Sequence, residues 1–407
     1  MADFPESSLS VLFETTGKVL TTITEWEISS NYLTSTDGFS FTAYSDKRED
    51  LWNLELQPVT LSVNGAQQVV GRIDKTMMGN NGTAVSFSGR DYIADLVECN
   101  VDPLLKIKTG DSIAAAFTEA ASPVGIDTVL SDDDLAMRNV RTGVTVKFKK
   151  GGKGYAKRIL NEYKPIPGEG LYEFLNRLIQ RFGATIQPGN ARNILVITAP
   201  HYDQDPTYTV YRSTDPTVSG INNVLSSTAD RDYSSFPTYS LFTGKQVVGD
   251  ASQVSCKQEN DINELASLQN TEIFDILKDS TVSGRRIPGV STALGLGQLY
   301  RLLYLLDKEA RTQEQVSFAA TRAIADRLKS TLEYKCTVRG HVDPVSGAIW
   351  SIDTMVSVAD EVCNVFEPLW IVERTLKYGS KDGATTDLVC YRPASFQFGN
   401  LDGTEGQ

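Results

Sequence analysis

Two stretches of the chain repeat one pattern of alternating apolar and polar positions. Residues 69–74 (Val69, Val70, Gly71, Arg72, Ile73, Asp74) lead through Gly79-Asn80-Asn81-Gly82 into a second alternating run, 83–90. Near the C-terminus, residues 369–374 (Leu369, Trp370, Ile371, Val372, Glu373, Arg374) lead through 379–383 into 385–390 in the same way. Alternation on both sides of a glycine-bearing turn is the signature of a β-hairpin with one buried face. Two such units in one chain point to a duplicated β-scaffold. Residues 19–28 alternate imperfectly and residues 39–44 alternate well, so positions 1–101 read as strands of a first small barrel.

The period changes after Pro103. Gly110-Asp111 supplies an N-terminal cap for a helix over 112–121. Leu171, Phe174, Leu175, Leu178, Ile179 and Phe182 fall at offsets 0, 3, 4, 7, 8 and 11 and draw one apolar stripe ended by Gly183. Two strands, 184–186 and 193–198, follow around Pro188-Gly189. These elements predict an α+β domain over 102–210. From 211 onward β-type patterning returns, giving a second barrel domain over 211–407. Within it, 279–297 reads as a long loop, and Leu299, Leu302, Leu303 and Leu306 open a helical segment. Thr312 and Gln315 form a capping box for a helix over 313–332, with Val316, Ala320, Ile324 and Leu328 on one face. Residues 334–391 alternate again in several strands, and the tail beyond Phe398 is polar and expected to fray. The fold class expected is therefore β-rich α+β and multidomain, consistent with a length of 407 residues, enough for about two to four domains.

Composition narrows the function. A net charge of -12 makes the chain a poor partner for nucleic acid or anionic lipid, because phosphate binding rests on cationic neutralisation. Cys99, Cys256, Cys336, Cys363 and Cys390 are widely spaced with no CxxC pair, so neither a zinc site nor a redox motif is expected; they read as small apolar residues in a reduced compartment. The acidic opening residues do not read as a secretory signal, and no run approaches the ~18 apolar residues of a membrane span. No cofactor or metal is expected.

Candidate chemistry is sparse. His201 and His341 sit in separate segments, no serine lies in a G-x-S-x-G elbow, and no cysteine carries a nucleophile signature. Asp132-Asp133-Asp134 lacks the spaced ligands of a calcium loop and reads as a solvated loop. Lys147, Lys149, Lys150, Lys153, Lys157 and Arg158 surround Gly151-Gly152 without phosphate-loop spacing, and read as a solvated or partner-facing loop. Trp26, Trp52, Trp350 and Trp370 occur in β-type context, where core packing competes with a carbohydrate platform. No catalytic, cofactor or metal residue is nominated.

Several short stretches, taken in order, resemble the baseplate hub protein of Mu-like contractile-tailed phages, a family related to T-even phage and type VI secretion hubs. They are Arg72-Ile73-Asp74, Ser88-Gly89-Arg90-Asp91 and Ala94-Asp95-Leu96-Val97 in the first third, and Gly168-Glu169-Gly170-Leu171 with Phe182-Gly183 in the middle. The last third adds Val338 to Asp343, Gly347, Trp350, Leu369 to Val372, Thr385 to Leu388, and Arg392-Pro393 with Phe396. His341 stands where that family usually has an aromatic, and residues 230–300 match it poorly. The resemblance implies a non-enzymatic homotrimer at the tail tip. Its two tube-like barrels per chain would form a pseudo-sixfold ring between the hexameric tail tube and the trimeric central spike. Other baseplate proteins would be further partners, DNA would pass only in transit, and assembly would take place in the host cytoplasm. A tail-associated cell-wall hydrolase and a carbohydrate-binding adhesin are the alternatives.

Overall fold

The computed structural model describes residues 7–45, 51, 54–79, 84–105, 107, 113–131, 164–179, 184–198, 200–202, 204–215, 222–234, 239–244, 255–259, 302–307, 327, 329–379 and 383–393. The acidic cluster at 132–134, the basic segment at 147–158, Trp52 and most of the helix expected over 313–332 lie outside these residues.

The first third forms strands β1 (Leu9–Phe13), β2 (Lys18–Leu20), β3 (Ile23–Asn31), β4 (Gly38–Tyr44), β5 (Pro58–Val63), β6 (Ala66–Met78) and β7 (Ala84–Asp91). Period-2 burial is clearest in β4 and β7, where Phe39, Phe41 and Ala43 face Val85 and Phe87. The imperfect alternation over 19–28 resolves into two strands, broken at Thr21, whose carbonyl accepts the Ile23 N–H at 3.0 Å.

Three helices and three strands follow: α1 (Ile93–Glu98), α2 (Ile113–Ala121), β8 (Thr128–Ser131), α3 (Leu171–Ile179), β9 (Thr185–Pro188) and β10 (Ile194–Thr198). The apolar stripe of α3 is buried at Leu171, Phe174, Leu175, Leu178 and Ile179. It packs with Phe117 of α2, Leu96 of α1, and Ile186, Leu195 and Ile197 of a sheet in the order β8-β10-β9. The two strands expected around Pro188 are present and pair antiparallel, whereas β8 joins β10 in parallel. Strands β11 (Tyr208–Arg212) and β12 (Val224–Asp230) come next.

Residues 201–205, 229–334 and 391–407 form a compact unit of their own. It contains β13 (Tyr239–Gly244), β14 (Ser255–Glu259) and β15 (Leu302–Asp307), ordered β14-β13-β15. Here the structure corrects the sequence: Leu302, Leu303 and Leu306, expected in a helical segment, lie in strand β15, parallel to β13, while Leu299 lies outside the described residues. Leu302-Leu303-Tyr304-Leu305-Leu306 is an unbroken apolar run, and periodicity cannot separate a buried strand from a helix in so short a stretch. Arg327 is helical, and Lys329–Thr331 forms a 3-10 turn.

The last strands are β16 (Glu333–Arg339), β17 (Thr354–Asp360), β18 (Val365–Gly379) and β19 (Gly383–Tyr391). Both hairpins read from the sequence are present, as β6–β7 and β18–β19. They belong to one thirteen-stranded sheet. Its first set runs β3-β4-β7-β6-β5-β1 with β2 at the edge, and its second runs β12-β16-β19-β18-β17-β11. Numbered by position in the chain, both sets follow one order: second, third, sixth, fifth, fourth, first. The sets differ in one pairing, since β1 meets β5 antiparallel and β11 meets β17 in parallel. They join where β18 pairs antiparallel with β3, from Glu373 opposite Asn31 to Tyr378 opposite Trp26. The joint is also packed, because Leu376 of β18 sits wholly buried in the core of the first set beside Trp26 and Ile28.

Candidate assembly surface

The motif residues in the first third do structural work. In β6, Arg72 binds Asp74 at 2.9 Å, Glu98 at 2.7 Å and also Asp95; in β7, Arg90 binds Asp74 at 2.6 Å and also Glu98. Two arginines and three carboxylates thus lash the hairpin to α1. Hydrogen bonds from Arg90 and Arg72 hold the Glu98 carboxyl below its usual range. The paired backbones approach so closely that a Cβ on Gly71 or Gly89 would fall inside 3.0 Å of the opposing strand's carbonyl. In the middle region Arg177 clamps Glu169 with two bonds, at 2.8 and 2.9 Å, fixing the turn that opens α3.

A polar chain runs through the joint between the two strand sets. Arg374 of β18 is 5% exposed. Its guanidinium donates to Gln68 Oε1 at 2.9 Å, to the Trp350 carbonyl at 2.6 Å and to Ser30 Oγ at 3.1 Å, while Nε has no partner. Burial pulls its pKa down and the Asp37 charge opposes that. Burial likewise pushes Asp37 up, against its hydrogen bond with Ser30 and the charge of Arg374. Asp91 Oδ2 accepts the Asp37 N–H at 2.8 Å and Oδ1 accepts the Ile93 N–H at 3.0 Å, which carries the chain to the start of α1.

Burial, and then the charge of Asp37, push Asp91 up to about 8. An unfolded aspartate loses its proton near pH 4, so between about 4 and 8 the native state binds more protons than the unfolded state. This contribution is fully present below the unfolded pKa and is lost as pH rises through about 8. Urea midpoints measured at pH 6 and pH 9 are expected to fall with pH in the wild type, and to fall less in Asp91→Asn.

The sequence-nominated groups are mostly core residues. His341 is 3% exposed and lies 4.8 Å from the Trp26 ring. Its Nε2 lies 2.8 Å from the Lys377 carbonyl, which can only accept, so Nε2 carries the proton and Nδ1 accepts from the Ser7 hydroxyl. No described carboxylate contacts either ring nitrogen, and burial lowers the pKa. His201 belongs to the other compact unit. Trp26, Trp350 and Trp370 are buried, the last two completely, which removes them as a carbohydrate platform. Cys336 and Cys390 are buried and Cys99 and Cys363 half-buried. Among the described residues no group of His, Cys, Asp and Glu could hold a metal, and no helix is long and apolar enough to cross a membrane.

Some of the exposed apolar surface lies on strand edges. Met77 and Met78 of β6 are 61% and 47% exposed, and Leu225 of β12 is 45% exposed. The sequence signals only the hairpin here: these residues look like any others in alternating strands, and only the pairing pattern shows that no described strand covers their outer edges.

No protein-family model and no curated protein sequence matches the chain. Solved structures do. The tail protein from Neisseria meningitidis MC58 superposes with a TM-score of 0.69 at 18% identity, covering 97% of this chain and 99% of that one. The 43 kDa tail protein of prophage MuSo2 from Shewanella oneidensis gives 0.67 at 18%, covering 96% and 99%. The half-lidded Francisella PdpA–VgrG complex gives 0.53 at 10%, covering 96% of this chain and 58% of that one. The chain has the fold of phage tail proteins.

Proposed function

We propose that this chain is the hub of a phage tail baseplate, a structural homotrimer that adapts the hexameric tail tube to a trimeric central spike. The observation that carries this reading is the repeated strand order. One chain holds the same six-strand arrangement twice, joined edge to edge, so three copies present six similar units to a sixfold neighbour. The likeness to prophage tail proteins, nearly end to end in both chains, supports it. In this reading 1–101 and 211–407 are the tube-like barrel domains and 102–210 is the middle domain. Its partners are the tail tube protein, the central spike and other baseplate proteins, in the virion after assembly in the host cytoplasm. A net charge of -12 suits a passage through which DNA moves without adhering. No catalytic role is proposed.

Native mass measurement tests the reading. Three chains of 44.6 kDa give about 134 kDa. A monomer across micromolar concentrations, with or without tube and spike proteins, would overturn it.

A further inference from the structure

Among the described residues, the two strand sets leave one matching pair of edges without a partner strand. In each set the fourth strand leaves the fifth midway. Strand β17 covers β18 up to Ile371, and β5 covers β6 up to Arg72. The point of departure is built alike in both. Leu56, with φ 59°, donates its N–H to the Ile73 carbonyl at 2.8 Å; Asp353, with φ 57°, donates to the Ile371 carbonyl at 2.9 Å. Left-handed backbone at two non-glycine residues in equivalent places is hard to attribute to chance.

Beyond that point the sets diverge. In β18, Glu373 to Tyr378 pair with β3, the leading strand of the first set. In β6, Lys75 to Met78 have β7 on one side and no described strand on the other. The strand that corresponds to β3 in the second set is β12, which has β16 on one side and again no described strand on the other. Edge protection is sparse: Val224–Asp230 contains no proline and no lysine, and Lys75 is the one charge in the β6 stretch. Instead they expose Met77, Met78 and Leu225, whereas Leu376, in the stretch of β18 that is paired, is fully buried.

We infer that the Lys75–Met78 edge of β6 pairs antiparallel with β12 of a second copy of this chain, repeating between chains the joint that β18 and β3 make within one. This rests on the ring reading and names its seam. A fifth strand joined to a leading strand is a head-to-tail contact, which builds a ring where its rotation closes and does not build a twofold dimer. Backbone hydrogen bonds across an added strand supply the attraction, and burial of the exposed methionines adds to it.

The test places a photo-crosslinking phenylalanine analogue at Met77 of the full chain and maps the crosslinked peptide by mass spectrometry. The expected product joins residue 77 of one chain to the 224–230 segment of another. A second variant, Met77→Asp with Met78→Asp, is expected to lose the trimer mass while keeping the wild-type circular dichroism, since both side chains are exposed in the single chain. A wild-type ring whose crosslink maps outside 224–230, or a double aspartate variant that still assembles, overturns the seam and leaves the hub reading standing. A wild-type chain that stays monomeric overturns both.

Discussion

Arg374→Ala is expected to cost about 3–5 kcal/mol of unfolding free energy, the range for removing one partner of a buried charged network. The guanidinium satisfies Gln68 Oε1, the Trp350 carbonyl and Ser30 Oγ, and its charge offsets that of Asp37. Alanine leaves those acceptors without this donor and the half-buried Asp37 without its counter-charge. Arg374→Lys keeps the charge but cannot fork toward three acceptors, so it should recover only part of the loss. Since Arg374 lies opposite Ser30 in the β18·β3 pairing, the damage falls on the one junction that makes two strand sets a single sheet. Urea denaturation of the three proteins decides the matter; a loss below about 1 kcal/mol would place the strength of the joint in its apolar contacts.

Gly89→Ala is expected to cost about 3 kcal/mol, near the upper end for forcing one methyl into a close-packed site. The added Cβ would lie within 3.0 Å of the Arg72 carbonyl and 2.5 Å from Phe39 Cζ. The first obstacle is backbone, which cannot rotate away; moving it disturbs the pairing of β6 and β7 that aligns Arg72 and Arg90 with Asp74 and Glu98. Gly379→Ala is the control. It ends β18, nothing lies within 4 Å of its Cβ position, and its substitution should change stability by less than about 0.5 kcal/mol. Thermal melts of both variants check the contrast, and equal effects would sink the close-approach argument.

The hairpins were readable because period-2 alternation survives wherever one face of a strand is buried, as at Val85 and Phe87 against Phe39 and Phe41. The α3 stripe was readable because five of its apolar positions repeat at the helical period and all five are buried. The run at 302–306 was not, since leucine on every face erases the period that would separate strand from helix. Of the assembly surface, the sequence showed its strands but not its edges. Met77 and Leu225 sit in patterns indistinguishable from those of paired strands. Similarly, Arg374 in an alternating strand reads as a solvated residue until Ser30, Gln68 and Trp350 are brought around it.

Local pattern therefore determined most of the strands and helices outside the run at 302–306, and that a hairpin occurs twice. Those properties depend on neighbours a few residues apart, whose spacing alone decides which face can leave water. The continuity of the sheet, the buried arginine at its joint and the two edges without a described partner strand were decided only in the tertiary structure. Each depends on a meeting of segments hundreds of residues apart, such as Trp26 with Tyr378. The free energy of such a meeting comes from backbone hydrogen bonds and buried surface that leave no periodic mark in either segment.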